Sequence, residues 1–485
     1  MGCPKRQPFL LYNEETMYFV GINIGIDKTT VSRSPGYNGE QVSQIILNPH
    51  SHGGLGSKII DTAICKNNGD WSLVYDSTTF ISNNVRYGFT GPISKLSPDE
   101  KESMIVFIKL LFHNILINDP DLIYTSPDNK NFELGIACPL DWVRQDSNAQ
   151  QEYLNFFRYE CGVPVDFCMR ETDAKLLDII LKHHFDIKDN ILVIDSGPYT
   201  IDFSLCSNFK RVYYLEQGYR IGTRCIVDAL IPHILKYENN SENLRKLKEF
   251  RNSMGYEGDI LTQLSLYVQT QVERYFIEWQ YNFILLLPYE ELTPNWPEPS
   301  WDICIAFKAS KVEFNKIIAG YTSAVKDAIV NTKVRLDQYK IIPNMVYITG
   351  DRTGFKYIKK YAEEIFDKRV YIDPDPDYSV SNGIALYMYH GSQFLDNFLA
   401  ELKNGLIGIT VLNIDYKKID MAIGHALRRS LAYDIDSSSI DSKRNINISS
   451  HLFLSNMDVN SILEERIMKY AIKVFREHMY FDVKY

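Results

Sequence analysis

One stretch constrains this chain more than any other: residues 190–205, with the sequence NILVIDSGPYTIDFSL. Four consecutive apolar residues predict a buried strand, an Asp-Ser-Gly-Pro-Tyr turn follows, and alternating apolar residues predict a second strand. Asp195 and Asp202 bracket the turn. A carboxylate at the end of a buried strand needs a paired charge or a metal ion, because burying a lone charge is costly. We therefore expect a functional site at this hairpin.

The bulk composition excludes several classes of protein. Of the 485 residues, 45% are hydrophobic and 23% are charged, which is typical of a globular protein of about two to four domains. The net charge of −9 and the lack of a Lys/Arg cluster argue against a nucleic-acid partner. No apolar run is long enough to span a membrane, and residues 1–16 lack the pattern of a secretory signal, so we expect a cytoplasmic protein without a membrane partner. The eight cysteines show no CxxC spacing and predict neither zinc nor disulfides.

The turn of this hairpin resembles the second phosphate-binding loop of the superfamily that contains actin, sugar kinases and the heat-shock chaperone ATPases. The pattern of that loop is Asp-x-Gly-Gly-Gly-Thr-x-Asp. Pro198 and Tyr199 replace its last two glycines. The positions that match the pattern are Asp195, Gly197, Thr200 and Asp202.

An earlier strand, Met17–Gly25, resembles the first phosphate loop of the same superfamily, Gly-Ile-Asp-Leu-Gly-Thr-Thr. Asn23 stands in place of the aspartate that orients the metal, and Ile26 and Asp27 stand in place of the threonines. Without the second loop, a plain hairpin with an Asp27-Lys28 turn would be the simpler interpretation, because a lone glycine hairpin is a weak signal. The positions that match are Gly21, Ile22 and Gly25.

Four further stretches stand in the order that the superfamily has them. Glu171 matches the glutamate of the chaperones' Glu-Pro-x-Ala-Ala-Ala element, although a glutamate there is also an ordinary stabiliser of a helix N-terminus. Gly222 lies in a segment similar to the glycine loop beneath the second lobe. Gly350-Asp351 resembles the adenosine loop, where a residue without a Cβ lets the backbone approach the base. Residues 375–385 resemble the closing helix, in which small residues let two helices cross closely.

Two weaker matches concern residues on or beside helices. In the chaperones, the helix that corresponds to residues 261–279 grips adenine and ribose with glutamate and basic side chains. Glu273 and Arg274 are the nearest candidates, and an ordinary helix surface explains them equally well. In the family a lysine before the helix that here starts near Pro98 reaches the transferring phosphate, which makes Lys95 the candidate, although exposed lysines are common.

The ordered series of matches over residues 17–390 implies an α/β protein with a two-lobed actin-like (ribonuclease H-like) ATPase fold and a nucleotide cleft between the lobes. Residues 391–485 lie outside the resemblance and alternate helical and β-like patterns, which predicts a small α+β module. The predicted divisions are an N-terminal extension over 1–16, lobe I over 17–190, lobe II over 191–370, a return helix over 371–390 and the module over 391–485.

The resemblance implies Mg²⁺ and ATP or ADP as cofactors, with catalysis mainly by positioning and charge neutralisation. Asp195 would hold the metal through water, and Thr200 would touch the terminal phosphate. Glu171 and Asp202 would order the water network, and Lys95 would stabilise the transferring group. The other predicted contacts to the nucleotide are Asn23, Gly25, Gly197, Gly222, Glu273, Arg274, Gly350 and Asp351.

Four departures in the two loops predict that hydrolysis is weakened or lost. Pro198 has no N–H to donate, and Tyr199 adds bulk where phosphate must approach the backbone. Asn23 removes a charge from the metal site, and Asp27 brings a carboxylate towards a polyphosphate. Three hypotheses follow: a heat-shock-chaperone-like ATP-binding protein with slow or impaired hydrolysis that couples nucleotide to a protein partner, a catalytically inactive ATPase-fold protein that binds other proteins, and an actin-like filament-forming protein.

Overall fold

The chain folds into a mixed α/β structure that contains two six-stranded sheets. The computed structural model describes residues 17–49, 56–67, 70–75, 84–87, 90–127, 129–183, 190–207, 210–212, 215–253, 260–277, 281–288 and 304–390. The predicted extension over 1–16 and the module over 391–485 lie outside the described residues. The chain divides into two compact units, of which the first ends at Leu386 and the second begins at Tyr387. The sheets and the site below belong to the first unit.

Residues 17–183 begin with a hairpin and end with a helix. Their helices are α1 (Pro98–Asn118), α2 (Leu140–Gln145), α3 (Ala149–Asn155), which a π-helical turn (Phe156–Glu160) continues, and α4 (Glu171–His183). Their strands are β1 (Tyr18–Ile24), β2 (Lys28–Ser34), β3 (Ser43–Gln44), β4 (Ile59–Asp61), β5 (Ala63–Asn67), β6 (Asp70–Leu73), β7 (Asn84–Tyr87), β8 (Tyr124–Ser126), β9 (Asn129–Lys130), β10 (Phe132–Cys138) and β11 (Phe167–Arg170).

Residues 190–390 also begin with a hairpin and end with a helix. Their strands are β12 (Asn190–Ser196), β13 (Ile201–Ser207), β14 (Lys210–Arg211), β15 (Gln217–Tyr219), β16 (Asn282–Pro288), β17 (Cys304–Ser310), β18 (Met345–Gly350) and β19 (Val370–Ile372). Their helices are α5 (Arg224–Lys236), α6 (Asn240–Ser253), α7 (Ile260–Ile277), α8 (Lys311–Ile317), α9 (Ala319–Gln338), α10 (Phe355–Phe366) and α11 (residues 379–390).

The two six-stranded sheets share one strand order and one set of directions. In the first sheet the order is β11-β10-β1-β2-β3, with β10 parallel and β2 antiparallel to β1. In the second sheet the order is β19-β18-β12-β13-β14, with β18 parallel and β13 antiparallel to β12. Each sheet therefore contains a leading hairpin and two later strands that return parallel to its first strand, and two short strands pair with the second strand of the hairpin. The two predicted phosphate loops are the turns of these leading hairpins.

Each sheet packs against its own hydrophobic core. In the first sheet Ile22 and Ile136 are fully buried against Phe107 of α1, a helix that opens with a capping box. In the second sheet Ile194 is fully buried with Leu230 of α5. Burying one such side chain contributes about 1.5–3 kcal/mol, so the two hairpins are held by independent sets of apolar contacts.

Two glycines let α11 approach its neighbours closely. A Cβ on Gly383 would lie 1.9 Å from the carbonyl oxygen of Ala174 in α4. A Cβ on Gly21 of β1 would lie 2.2 Å from the carbonyl oxygen of Ser381. Both contacts involve backbone atoms, which cannot rotate away. The crossing of α4 and α11 therefore depends on the missing side chain at position 383.

Two helical segments are interrupted. The first is divided into α2, which starts directly after Pro139, and α3, which begins at Ala149, and Asp146 between them has extended backbone angles. The second is interrupted at Ile318, which separates α8 from α9. Among the residues described, no helix combines the length and the apolar character needed to cross a membrane.

Candidate functional site

The second hairpin places two carboxylates directly opposite each other. Asp195 on β12 is the register partner of Asp202 on β13, and opposite residues of an antiparallel pair project from the same face of the sheet. Within the turn, the Gly197 N–H donates to the Thr200 carbonyl oxygen over 2.8 Å. The Thr200 hydroxyl donates to Asp202 Oδ2 over 2.9 Å. Two like charges so placed need cations nearby, because like charges across a pair destabilise a sheet.

Helix α4 supplies the first of these cations. Its residues Leu176 and Ile179 pack on the second sheet, where β12 runs. This packing brings the Lys175 ammonium to 2.6 Å from Asp195 Oδ2 and to 3.0 Å from Glu171 Oε1. The side chains of Lys175 and Asp195 are only 8% and 13% exposed. Glu171 and Asp195 are thus joined through an internal lysine.

The charges of Lys175 and Asp195 in this buried cluster stabilise each other. Burial raises the pKa of Asp195 to about 6 against the opposing pull of Lys175, and the charges of Glu171 and Asp202 also raise it. Burial alone would lower the pKa of Lys175, but attraction to Asp195 and Glu171 raises it well above its usual range. At neutral pH the pair is therefore an ammonium and a carboxylate. Within the described part of the chain, the buried Asp195 Oδ1 accepts no hydrogen bond.

Helix α2 supplies the second cation. Arg144 Nη1 donates to Asp202 Oδ1 over 2.9 Å. Burial raises the pKa of Asp202, while Arg144 and Thr200 act in the opposite direction. The next residue, Gln145, accepts a hydrogen bond from the ammonium of Lys95. Lys95 therefore lies beside the residue that neutralises Asp202, and its own ammonium is bound to an amide oxygen.

The start of α5 is fastened to the second turn. The Thr223 N–H donates to the Gly197 carbonyl oxygen over 3.2 Å, and the Arg224 N–H donates to the Pro198 carbonyl oxygen over 2.8 Å. A Cβ on Gly222 would lie 2.0 Å from that same Pro198 oxygen. N–H groups at a helix start commonly bind anions. Here these two N–H groups are already bonded to the carbonyl oxygens of the turn.

The predicted adenosine loop lies against the same turn. Gly350 has φ +96°, and a Cβ there would lie 2.2 Å from the Ser196 carbonyl oxygen and 2.5 Å from Asp195 Oδ1. The Asp351 N–H donates to the Ser196 carbonyl oxygen over 2.5 Å. The Asp351 carboxylate accepts hydrogen bonds from the Thr223 hydroxyl (2.5 Å) and from the Thr353 N–H (2.9 Å). This loop therefore joins the end of β12 to the start of α5.

The first turn is bonded to helix α7. The Lys28 ammonium lies 3.0 Å from Glu273 Oε2. Gln269 Nε2 donates to Asp27 Oδ2 over 3.1 Å, and Gln269 Oε1 accepts from Arg224 Nη1 over 3.2 Å. Burial raises the pKa of Asp27, while Gln269 and Arg224 oppose the rise. One glutamine thus connects the first turn to the start of α5.

The structure brings most of the predicted residues together. Gln269 binds both Asp27 of the first turn and Arg224, whose N–H donates to Pro198 of the second turn, so the two turns lie near each other. Asn23 lies on β1 opposite Thr30, and Arg274 is exposed on α7. The first turn and α7 contribute Gly25 and Glu273. The group around the second turn consists of Glu171, Asp195, Gly197, Thr200, Asp202, Gly222, Gly350 and Asp351.

Sequence reasoning missed the basic and amide residues of the site. Lys175 follows Glu171 by four residues, a spacing that puts glutamate and lysine on one helix face. Lys175 also stands where the chaperones' element has its second alanine, and this replacement was the available signal. Arg144 and Gln269 gave no local signal, because their carboxylate partners lie 58 and 242 residues away in the sequence.

The side chains present do not fit a catalytic Mg²⁺–ATP centre. Mg²⁺ binds through one or two carboxylates and waters, but the Lys175 ammonium already lies against Asp195 and Glu171 and would repel a second cation. The N–H groups of Gly25 and Gly197 already donate to carbonyl oxygens within their own turns. Over the described ranges, no group of three or more His, Cys, Asp or Glu residues is arranged to hold a metal ion.

Comparisons of the sequence with models of known protein families and with curated proteins found no match. The resemblance to the actin and heat-shock ATPase superfamily therefore depends on the short motifs and on the geometry around them. A functional proposal must explain three features: the two neighbouring turns, the loop at Gly350, and a set of carboxylates that are ion-paired or hydrogen-bonded. These carboxylates belong to Asp27, Asp195, Asp202 and Glu273.

Proposed function

We propose that this chain is an ATPase-fold protein of the actin and heat-shock chaperone type that has lost nucleotide hydrolysis and works as a protein-binding module. The observation that carries the proposal is the Lys175 ammonium between Asp195 and Glu171. In the family, these two carboxylate positions organise the waters of the metal ion. A lysine tethered between them takes the position that this water network needs.

The fold part of the proposal is supported by the duplicated topology. Both sheets have the same strand order, and each starts with a hairpin whose turn matches a phosphate loop in the expected order. The two turns are connected through Gln269 and Arg224, and Gly350 lies beside the second turn. A two-lobed actin-like fold with a cleft between its lobes accounts for all three features.

The loss of hydrolysis is supported by the backbone N–H donors near the two turns and by the charge of the site. Four backbone N–H groups near the two turns, those of Gly25, Gly197, Thr223 and Arg224, already donate to carbonyl oxygens, and Pro198 has no N–H. The hydrogen-bonded network of the site contains four basic side chains, Lys28, Arg144, Lys175 and Arg224, against six carboxylates, those of Asp27, Glu171, Asp195, Asp202, Glu273 and Asp351. A polyphosphate entering this region would meet uncompensated negative charge, which is unfavourable at short range.

The proposed class of partner depends on the surface charge that other classes of partner would require. A nucleic-acid partner calls for a basic surface, and the chain has a net charge of −9 with 61 acidic against 52 basic residues. A module of this fold that does not turn over nucleotide retains its two lobes and the surfaces they present. We therefore propose another protein as the partner.

The decisive experiment combines calorimetric titration of ATP and ADP in the presence of Mg²⁺ with a phosphate-release assay. We expect the same background release from the wild-type protein, from Asp195→Ala and from a surface control, Glu363→Ala. Release by the wild type and by the control that Asp195→Ala abolishes would overturn the proposal and favour a slow ATPase. ATP-dependent pelleting at high speed, which we expect to be absent, would favour an actin-like filament.

A further inference from the structure

Lys175 is a charged residue with little access to water, since its side chain is 8% exposed. We infer that Lys175 is a built-in cation that takes the place of a divalent metal ion between Glu171 and Asp195 and makes this centre independent of metal. The inference deepens the proposed function, which rests on the same contacts of Lys175, and its test measures unfolding and not nucleotide turnover, so that the two can fail separately.

The geometry suits a cation shared by two carboxylates. The ammonium lies 2.6 Å from Asp195 Oδ2 and 3.0 Å from Glu171 Oε1. A small divalent ion would use the same two carboxylates at distances of about 2.1 Å and complete its shell with water. The ammonium and the ion compete for one position, so only one of them can be present.

The carboxylates require such a cation. Asp195 is 13% exposed, and its other oxygen, Oδ1, accepts no hydrogen bond from the residues that the structure describes. Asp202 is its direct register partner and adds a second negative charge. Removing one member of a buried ion pair leaves an uncompensated charge, which is strongly destabilising. A tethered ammonium supplies the compensation at every metal concentration.

An ordinary helix-surface pair of the same spacing provides the matched control. Lys359 and Glu363 on α10 are also four residues apart, but their charged groups are 3.8 Å apart and their side chains are 43% and 50% exposed. Such exposed pairs contribute little to stability. Lys359→Ala therefore removes a lysine from a helix without removing a buried counter-charge.

The test is the midpoint of thermal unfolding of the full chain in EDTA, in about 10 mM MgCl₂ or MnCl₂, and in a monovalent salt of equal ionic strength. We expect the midpoint of the wild type to be the same in all three media, and likewise that of Lys359→Ala. Lys175→Ala should unfold about 5 °C lower or more in EDTA, and the divalent ions should recover at least about half of that loss. The double variant Lys175→Met/Asp195→Asn should lie above Lys175→Ala in EDTA and should not respond to metal.

Two results would overturn the inference. One is a wild-type midpoint that rises with divalent ions as much as that of Lys175→Ala. The other is a Lys175→Ala midpoint that does not respond to metal. If Lys175→Ala is insoluble without metal, recovery of soluble protein with MnCl₂ supports the inference, and insolubility in both media while the double variant folds contradicts it. Phosphate release by the wild type would end the proposed function but would leave these midpoints unchanged.

Discussion

Asp195 and Asp202 face each other across the second hairpin, and each carboxylate is bound by a different cation. Lys175 reaches Asp195 from α4, and Arg144 reaches Asp202 from α2. The two cations come from helices that precede the hairpin in the sequence and belong to the first-sheet half of the chain. The two like charges of one hairpin are therefore neutralised by ion pairs that connect the two halves of the chain.

The contribution of Asp195 to stability should depend on pH. Burial raises the pKa of Asp195 from 3.8 to about 6, so the folded state binds this proton more tightly than the unfolded state. The resulting stabilisation is complete below the unfolded pKa and is lost as the pH rises through the folded pKa. Relative to Asp195→Asn, the wild type should gain about 2 kcal/mol of unfolding free energy as the pH falls from about 7 to about 4. Urea unfolding of both proteins at several pH values measures this difference, and a constant difference would contradict the raised pKa.

Removal of Arg144 should cost less than removal of Lys175. The Arg144 side chain is 30% exposed, so water can partly replace it beside Asp202. We expect Arg144→Ala to lower the unfolding free energy by about 1 kcal/mol, and Asp202→Asn to remove most of that loss in a double-mutant cycle. The control Arg245→Ala breaks two exposed ion pairs on α6, to Glu242 and to Glu249, and should have no detectable effect. If Arg144→Ala and Lys175→Ala lowered the unfolding free energy equally, the difference in exposure would not determine how much each ion pair contributes to stability.

Local sequence patterns were enough to predict the strands and helices on which the site residues lie. The apolar run before Asp195 predicted β12, and the alternation after it predicted β13. Glu171 opens α4, and the apolar spacing after Pro98 predicted α1, as the structure confirms. These features succeed because strand and helix periodicities are set by neighbouring residues.

The charge partners could not be predicted, because they are set by the packing of elements distant in sequence. Lys175 reads as an ordinary helical lysine until α4 lies on the second sheet, and only then is its ammonium enclosed with Asp195. Gln269 connects Asp27 to Arg224 only because α7 packs beside the first turn. The predicted roles of the site residues in nucleotide chemistry stay predictions.

The close crossing of α4 and α11 should make Gly383 intolerant of any side chain. A Cβ at Gly383 would lie 1.9 Å from the Ala174 carbonyl oxygen, whereas a Cβ at Gly320 of α9 would meet no atom within 4 Å. Gly383→Ala should therefore destabilise the fold by about 2 kcal/mol or more. Gly320→Ala should be neutral or stabilise it by roughly 0.5 kcal/mol, because alanine favours helix. Chemical denaturation compares the two, and equal effects would contradict the tight crossing.

The contact between the first turn and α7 should be weak and sensitive to salt. Lys28 and Glu273 are 3.0 Å apart, but their side chains are 43% and 21% exposed. A double-mutant cycle with Lys28→Ala and Glu273→Ala should give a coupling below about 1 kcal/mol in dilute buffer, and about 0.5 M NaCl should reduce it towards zero because salt screens exposed charges. The Lys175–Asp195 pair should keep its coupling in the same salt, since it is buried.

The same cycle also tests whether nucleotide binds beside α7. In the heat-shock chaperones the helix that resembles α7 holds adenine and ribose, so a nucleotide bound in the same way would displace Lys28 from Glu273. If the negative charge of the site excludes a polyphosphate, as argued above, about 1 mM ATP with Mg²⁺ should leave the coupling between Lys28 and Glu273 unchanged. Loss of the coupling in ATP, with no change at the exposed Lys359–Glu363 pair, would show that nucleotide binds and would contradict this charge argument, whether or not the protein hydrolyses ATP.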